Sequence, residues 1–445
     1  MILQVTDGTT TVDLDGSQAP VKGAIYFPKA AERDEQGNYL PVEEEADVLL
    51  DDAVIGLSNI LTTINALEML FGQAYDRKQS GVGARVYVEY TPTNGATSRA
   101  EIMGGSVEWS SRRAERMVNQ AAVTVRVTVR WVRAACWDGP RTQIPISNAN
   151  GSNNTSGLTV SNQNERHIRI AASGAATIGP ARVELRLKNT AGAARGYRNI
   201  YVFTDKNDIS SLVIQGESRQ AGYGSVVNDG TASNGQYLTL SVNGTLLVPW
   251  TLSTSLLSKT AGGYVRLLAK FMAFTPSANI YVRAYLKDAT GLITLARTPY
   301  DVKLKLGAQY VQDLGALPFP PGGYSTGSAP QTLVLAFRTD SLQTIGLDFI
   351  LPAPTDSIMR VEQLGNQVNN NEEVVIDGLE ELTYFTESGA NHQIYGVKDE
   401  YLRIWPGKSW LSNFQRIWLL WDGVGVNLSD TVSAKLYYRP LKLVI

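Results

Sequence analysis

The dominant pattern in this 445-residue chain is alternation with a period of two. Over residues 121–133, Val123, Val125, Val127, Val129 and Trp131 fall on one side, and Thr124, Arg126, Thr128 and Arg130 on the other. Side chains of an extended strand point to opposite faces in turn, so this run predicts a strand with one buried face. Val82, Ala84, Val86, Val88 and Tyr90 alternate in the same way, and a further strand over Glu101 to Trp109 follows a turn at Asn94-Gly95. Ile2 to Val5 and Thr10 to Leu14 flank Asp7-Gly8 and read as a hairpin. One segment changes period. Leu57, Ile60, Leu61, Ile64, Leu67 and Phe71 recur every three or four residues, which predicts an amphipathic helix over about 53–73. Asp51 or Asp52 is placed to cap it, and Gly72 and Gly81 to mark its end. Residues 1–137 thus read as a β-sandwich or barrel with one helix packed on it.

Residues 138–180 open with Asp138-Gly139-Pro140 and hold a polar run, Ser147 to Gly157, that reads as a linker. From 181 the alternation resumes at Val183, Leu185 and Leu187. It continues through Asn199–Thr204, Leu212–Gly216, Tyr237–Val242, Val265–Phe274, Ile280–Leu286, Ile293–Arg297, Gln309–Leu314, Leu333–Arg338 and Gly346–Leu351. The spacing suits a sandwich. Leu317-Pro318-Phe319-Pro320-Pro321-Gly322-Gly323-Tyr324 reads as a rigid surface loop. Residues 353–445 carry Val374–Ile376, Glu381–Phe385, Tyr401–Trp405, Arg416–Trp421 and a strand Ala434–Tyr438, which should be paired because an open terminal strand invites aggregation. The expected fold class is mainly β, several sandwiches or jelly rolls with one helix on the first.

Composition narrows the chemistry. Forty Lys and Arg against 42 Asp and Glu leave a net charge of −2, which argues against a chain built to coat nucleic acid or an anionic membrane. Cys136 stands alone, so no internal disulfide and no CxxC zinc site can form. His167 and His392 are the only histidines. That starves Ser/His hydrolases and most metalloenzymes of parts. No apolar window reaches the length of a membrane span, and Met1 to Gly8 shows no basic-then-apolar leader. Gly407-Lys408-Ser409 resembles the tail of a P-loop, but Leu402 stands where its first glycine belongs. Asp13-Leu14-Asp15-Gly16 and Asp205-Lys206-Asn207-Asp208 are acidic clusters without EF-hand spacing and read as turns. The carboxylate pairs Glu372-Glu373 and Glu380-Glu381 read as solvated faces. No cofactor or catalytic set is expected, and the chain is read as a non-enzyme.

Two charge blocks and a few aromatics remain. Residues 29–52 hold nine acids against Lys29 and Arg33, and residues 112–133 hold six arginines against Glu115. Glu43, Glu44, Glu45, Arg112, Arg113, Arg116, Arg126 and Arg130 are therefore candidates for a contact between copies. Pairing within one chain, an arginine-lined channel for DNA, and two solvated faces are the other readings. Tyr223 in Ala221-Gly222-Tyr223-Gly224, Tyr324 after two glycines, and Trp405 and Trp410 around Pro406–Ser409 are candidates for stacking on a sugar ring, or else for capping the edge of a core. Trp418 and Trp421 sit in an apolar strand and read as core.

The order of these elements carries a resemblance. The hairpin Leu3 to Leu14, the acidic strand, the helix ending Ile64-Asn65-Ala66-Leu67-Glu68, the strand Val86-Tyr87-Val88-Glu89-Tyr90, the strand through Glu101-Ile102-Met103-Gly104-Gly105 and the Arg/Val strand ending near Trp137 together resemble the distal tail proteins of long-tailed bacteriophages. Val432-Ser433-Ala434-Lys435-Leu436-Tyr437-Tyr438-Arg439-Pro440 is similar to the closing strand of related tail proteins. The resemblance implies a structural virion protein of the tail tip or baseplate, made in the bacterial host cytoplasm. It implies a ring, commonly hexameric, whose lumen DNA traverses, and a galectin-like sandwich that carries fibre or receptor-binding proteins. The implied partners are further copies of the chain, the tail tube protein, tail-tip hub or fibre proteins and a host surface glycan, with no membrane. The extra length implies an inserted carbohydrate-binding-like jelly roll over 181–352, with 138–180 and 353–445 as two parts of one galectin-like sandwich and Pro180 close to Pro352. Alternatives are a tail tube protein, a free-standing carbohydrate-binding adhesin, and a two-carboxylate glycan depolymerase.

Overall fold

The computed structural model describes residues 2–16, 21–36, 38–52, 57–109, 115–116, 123–147, 155–161, 167–171, 177–205, 209–210, 212–272, 277–288, 291–304, 310–320, 331–354, 358–362, 368–394, 396–399, 401–406, 414–424 and 430–443. They form two compact units. One comprises 1–142, 177–179 and 439–445, the other 143–176 and 180–438.

The first unit runs β1 (Ile2–Thr6), β2 (Thr11–Asp13), β3 (Val21–Ile25), β4 (Val42–Asp52), α1 (Leu57–Ser80), β5 (Tyr87–Thr91), β6 (Ser98–Glu108), β7 (Glu115–Arg116), β8 (Val123–Arg133) and β9 (Trp137–Asp138). Its main sheet is ordered β2-β1-β5-β6-β8-β4-β3. The alternation read in the sequence sets the faces. Val125, Val127, Val129 and Trp131 point inward beside Val42, Ala46, Val48 and Leu50. Ile60, Ile64, Leu67, Leu70, Phe71 and Ala74 of α1 close the same core. Each of the Ile, Leu and Phe side chains removed from water contributes about 1.5–3 kcal/mol. Gly105 allows this contact, because a Cβ there would stand 2.7 Å from the Phe71 ring and 2.6 Å from the Arg130 carbonyl.

The helix continues beyond the expected residue 73, and of the two glycines expected to mark its end, Gly81 does so; residues 53–56, at its expected start, lie outside the described residues. The helix runs through Gly72 to Ser80 and stops at Gly81, whose φ of +71° suits glycine and whose N–H reaches the Arg77 carbonyl at 2.7 Å. Asp51 and Asp52 belong to the end of β4, not to a cap directly before α1.

In the second unit the outer strands are β10 (Thr142–Ile144), β11 (Leu158–Ser161), β12 (His167–Ala171), β13 (Ala181–Asn189) and β14 (Gly196–Asp205). Then come β15 (Ile214–Gln215), a 3-10 turn Gly216–Ser218, β16 (Ser225–Asn228), β17 (Gln236–Thr251), α2 (Thr254–Thr260), β18 (Tyr264–Phe271), β19 (Tyr281–Lys287), β20 (Thr294–Arg297), β21 (Val302–Lys303), β22 (Tyr310–Pro318) and β23 (Thr332–Pro354). The chain returns through β24 (Ile358–Glu362), β25 (Glu373–Asp377), β26 (Leu382–Glu387), β27 (Ala390–Gln393), β28 (Gly396–Asp399), β29 (Arg403–Ile404), β30 (Phe414–Val424) and β31 (Thr431–Tyr438). A last strand, β32 (Leu441–Lys442), pairs with β9 in the first unit.

Strands β10-β31-β13-β25-β26-β27 form one sheet and β12-β30-β14-β24-β28 another. Residues before 206 and after 357 thus share these two sheets. Residues 181–205, expected in the inserted roll, pair instead with β25, β31, β30 and β24. The chain leaves from β14 and comes back in β24, which are antiparallel neighbours with Phe203 opposite Ile358. That pairing brings the ends of the insert together at Phe203 and Ile358, where Pro180 and Pro352 had been expected. Near the crossing the buried Ser210 takes its N–H to Asp205 Oδ2 at 2.7 Å and its hydroxyl to the Pro352 carbonyl at 2.6 Å.

Between these crossings lies a sheet ordered β16-β17-β23-β18-β22, with β19 also on β23. Strand β23 joins two runs that the sequence suggests are separate. Its first half pairs with β19 and its second with β18, while β17 follows it from Thr332 to Leu347, with a register shift between Val242 and Gly244. The proline-rich segment starts as strand and not as loop, since Leu317 and Pro318 belong to β22. One face of this sheet closes its own core around Trp250, Phe271 and Phe337. The other buries Leu268, Val311, Phe349, Leu351 and Ala353 against Tyr201, Phe203, Ile358, Trp418 and Leu420. Strands β14 and β30 are therefore apolar on both faces.

Candidate functional site

The two charge blocks meet inside one chain. Strand β4 lies beside β8, with Glu45 opposite Arg130 and Leu49 opposite Arg126. Arg126 pairs with Asp47 at 2.5 Å, and Arg130 reaches Glu45 at 3.4 Å and Glu108 on β6 at 3.0 Å. Glu43 and Glu45 are exposed, whereas Glu44 is turned inward and 3% exposed. Period two explains this, because Val42, Glu44, Ala46 and Val48 share the inner face of β4. Its partner is Arg133, which continues the inward phase of β8. Arg112 and Arg113 lie outside the described residues, as does the side chain of Arg116.

Around Glu44 both carboxylate oxygens and both Arg133 Nη atoms are engaged, while the buried Arg133 Nε makes no hydrogen bond among the described residues. Arg133 Nη2 donates to Glu44 Oε1 at 2.8 Å and to the Lys29 carbonyl at 2.6 Å, and Nη1 donates to the Ala134 and Ala135 carbonyls. The Tyr26 hydroxyl donates to Glu44 Oε2 at 2.6 Å, and the Lys29 N–H to Oε1 at 2.9 Å. Burial, and then the adjacent Glu44 charge, drive the Tyr26 hydroxyl far above its ordinary range, so it stays a donor. The Arg133 guanidinium also lies 4.5 Å from the Trp137 ring centre. These bonds clamp residues 26–29. Between the clamped ends, Phe27 is 81% exposed, and the neighbouring Ile25 is 69% exposed at the end of edge strand β3. Beside this segment a cleft of about 330 Å³ is lined by Lys29, Glu43, Glu45, Gly105, Arg130 and Trp131. The indole Nε1 of Trp131 is buried with no hydrogen-bond partner among the described residues.

The aromatic candidates separate. Tyr223 is half-buried, packs against the core of the inserted sheet, and lines a cleft of about 310 Å³ with Gln220, Lys287 and Thr332. Trp405 is half-buried, and its N–H donates to Gln415 Oε1 at 3.1 Å. Tyr324 and Trp410 lie outside the described residues, as does Gly407-Lys408-Ser409. Trp418 and Trp421 are buried.

The remaining polar candidates are engaged one by one. His167 packs at a tilt against Trp418, while His392, on another sheet, stacks on Phe385 and faces Glu387. Glu372 accepts the Ser388 and Asn369 N–H groups, Glu373 meets Arg186, and Glu381 meets Arg182. Among the described residues, no group of three or more His, Cys, Asp or Glu could hold a metal ion, and no helix is long and apolar enough to cross a membrane. Arg133, Tyr26, Phe27, Gln220 and Lys287 are absent from the site residues expected from sequence. The phase of β8 could have flagged Arg133. The others carry no local signal.

No family model matches the chain, and no curated protein matches it. Solved structures give distant likenesses. The Dit protein of SPP1, described as a paradigm of the hub adsorption apparatus in phages infecting Gram-positive hosts, shares 8% identity at a TM-score of 0.23, over 99% of this chain and 100% of that one. An exo-β-1,3-galactanase from Phanerochaete chrysosporium shares 10% identity at a TM-score of 0.18, over 70% of this chain and 82% of that one. The VP2 subviral particle of infectious bursal disease virus shares 9% identity at a TM-score of 0.15, over 68% and 81%. At these scores none of them assigns a role to this chain.

Proposed function

We propose that this chain is a structural protein of a long-tailed phage tail tip, that its first unit closes into a homo-oligomeric ring at the end of the tail tube, and that its second unit serves attachment to fibre protein or host glycan. The reading rests on the element order of residues 1–137. The feature that supports self-association is the clamped apolar edge. Ile25 and Phe27 project from a segment tied down through Tyr26, Lys29, Glu44 and Arg133, beside β3, which ends its sheet among the described residues. An ordered apolar surface next to a strand at the end of a sheet suits contact with another protein. The exposed charges of β4 and β8 serve this less well, since Arg126 and Arg130 already meet acids of their own chain.

Negative-stain imaging of the purified chain tests the proposal. Rings of one diameter are expected, and Phe27→Asp should leave separate copies. Single copies at every concentration would contradict it. Copy number in the virion separates one terminal ring from a stacked tube. The cleft at Tyr223 favours a second reading, a free-standing carbohydrate-binding chain, which would remain single while binding sugar.

A further inference from the structure

We infer that the Tyr223 cleft of the inserted sheet is a binding site for an acidic saccharide, a pyranose chain bearing carboxylates. This rests on the attachment role proposed above for the second unit and deepens it.

The loop that presents Tyr223 is built to stay where it is. Its start lies flush on β23, since a Cβ on Gly216 would come within 2.2 Å of the Leu347 carbonyl. Trp250 Nε1 donates to the Gln215 and Gly216 carbonyls at 3.2 Å. Arg219 then gathers the loop from within. Its Nε donates to the Tyr223 carbonyl at 2.7 Å, Nη1 to that of Glu217 at 3.1 Å and Nη2 to that of Gly224 at 3.3 Å. Gly224, with φ of +65°, sits where a Cβ would meet the Thr239 carbonyl at 2.3 Å. The Gln220 N–H is fixed on the Pro249 carbonyl at 2.9 Å. A site ordered before its ligand arrives loses less freedom on binding.

The lining suits one chemistry. Tyr223, Leu247, Pro249 and Val334 make up its apolar lining, and Gln220, whose Nε2 donates to Thr251 Oγ1 at 3.3 Å, and the largely buried Thr332 are polar groups beside them. Flat apolar area with a few polar groups matches a pyranose, which has C–H faces and a hydroxyl edge. Lys287 supplies the charge. One of its three N–H donors goes to the Gly291 carbonyl at 3.0 Å, which leaves two for a ligand. No carboxylate is among the described lining residues. The neighbouring Asp288 turns its carboxylate to the Leu292 and Ile293 N–H groups. A cation beside a sugar-sized floor selects a carboxylated sugar over a neutral one. The cleft, about 310 Å³, lies at the small end of ligand sites and suits one or two rings.

Calorimetric titration of the full chain tests this, with tetragalacturonate and a hyaluronan tetrasaccharide as acidic probes, maltotetraose as neutral probe and tetraglutamate as acidic peptide. Both acidic saccharides should bind, each at least about tenfold tighter than maltotetraose. Lys287→Met should weaken them about tenfold and leave maltotetraose unchanged. Tyr223→Ala should weaken all three saccharides, with its unfolding temperature recorded as the control for folding. The inference is overturned by absence of binding up to about 10 mM, by saccharide binding that both variants leave unchanged, or by equal binding of tetraglutamate. The mass of each sample is measured in parallel. A chain that forms rings and binds no saccharide fails here alone, and a single-copy chain that binds them fails only the ring.

Discussion

Glu44 and Arg133 show what one buried pair does in this chain. Both side chains are fully buried, and each is the other's charge partner. Removing one leaves the other uncompensated, at about 3–5 kcal/mol. Arg133→Met should therefore destabilise the first unit by about that amount in urea unfolding, and a loss under about 1 kcal/mol would contradict the role given to the clamp. The pair was partly legible. An acid in phase with Val42, Ala46 and Val48, and an arginine in phase with Val127, Val129 and Trp131, are both on the inner side of their strands. The run Glu43-Glu44-Glu45 hid this, because as composition it reads as one solvated block. Tyr223 was legible from its flanking glycines. Lys287 was not, because the register of β19 on β23 brings it near Tyr223 across 64 residues of chain. Glu372 gives a pH signature. The Ser388 N–H, followed by that of Asn369, holds its carboxyl below the usual carboxylate range. Its contribution is thus present above the unfolded-state pKa and lost as pH falls through the lowered folded-state value. Glu372→Gln should unfold at lower urea than the unmodified chain at neutral pH, and the gap should close in acid. A gap constant with pH would show that the charge is not involved.

Elements followed local pattern where one face was buried and departed from it where tertiary contacts decided. Strand β8 and the apolar stripe of α1 came straight from their periods. The helix passes Gly72 because Phe71 and Ala74 on either side are core, and a single glycine costs only about 1 kcal/mol in a helix. Only Tyr237–Val242 of β17 stands out in sequence, and strand β23 reads as two runs, Leu333–Arg338 and Gly346–Leu351, because Thr339-Asp340-Ser341 between them is polar. In the folded chain, the shift between Val242 and Gly244 absorbs it, and pairing continues on both sides. Gly105 lies where α1 sits close on the sheet, at the Phe71 ring. Gly105→Ala should cost about 1–3 kcal/mol in thermal unfolding of the first unit, through overpacking against Phe71 and the Arg130 carbonyl. Full tolerance would mean that the helix is less closely seated than described.

At the scale of the whole molecule, the insert is held by more than its two crossings. Asp422 Oδ1 accepts from Asn199 Nδ2 at 2.9 Å and Oδ2 from the Val311 N–H at 2.8 Å, inside the apolar layer around Trp418, Phe349 and Leu351. The sequence suggested an insertion but placed its start at 181, because alternation is the same in strands of either sheet. Only pairing partners tell them apart. With this shared layer, the inserted and outer sheets should unfold in one calorimetric transition. Asp422→Ala, which strands a buried N–H at about 1–3 kcal/mol, should lower that transition without splitting it. Two resolved transitions from the second unit would contradict the shared core. Copies of this chain, as proposed above, close on one another through the apolar edge at Phe27. Light scattering on the purified chain, at low and high salt, is the test. The mass expected is about six copies, as for a closed cyclic assembly, little changed by salt because Arg126 and Arg130 are already paired within the chain, and reduced to one copy by Phe27→Asp. A single-copy mass for the unmodified chain, or a ring that Phe27→Asp leaves intact, would contradict it.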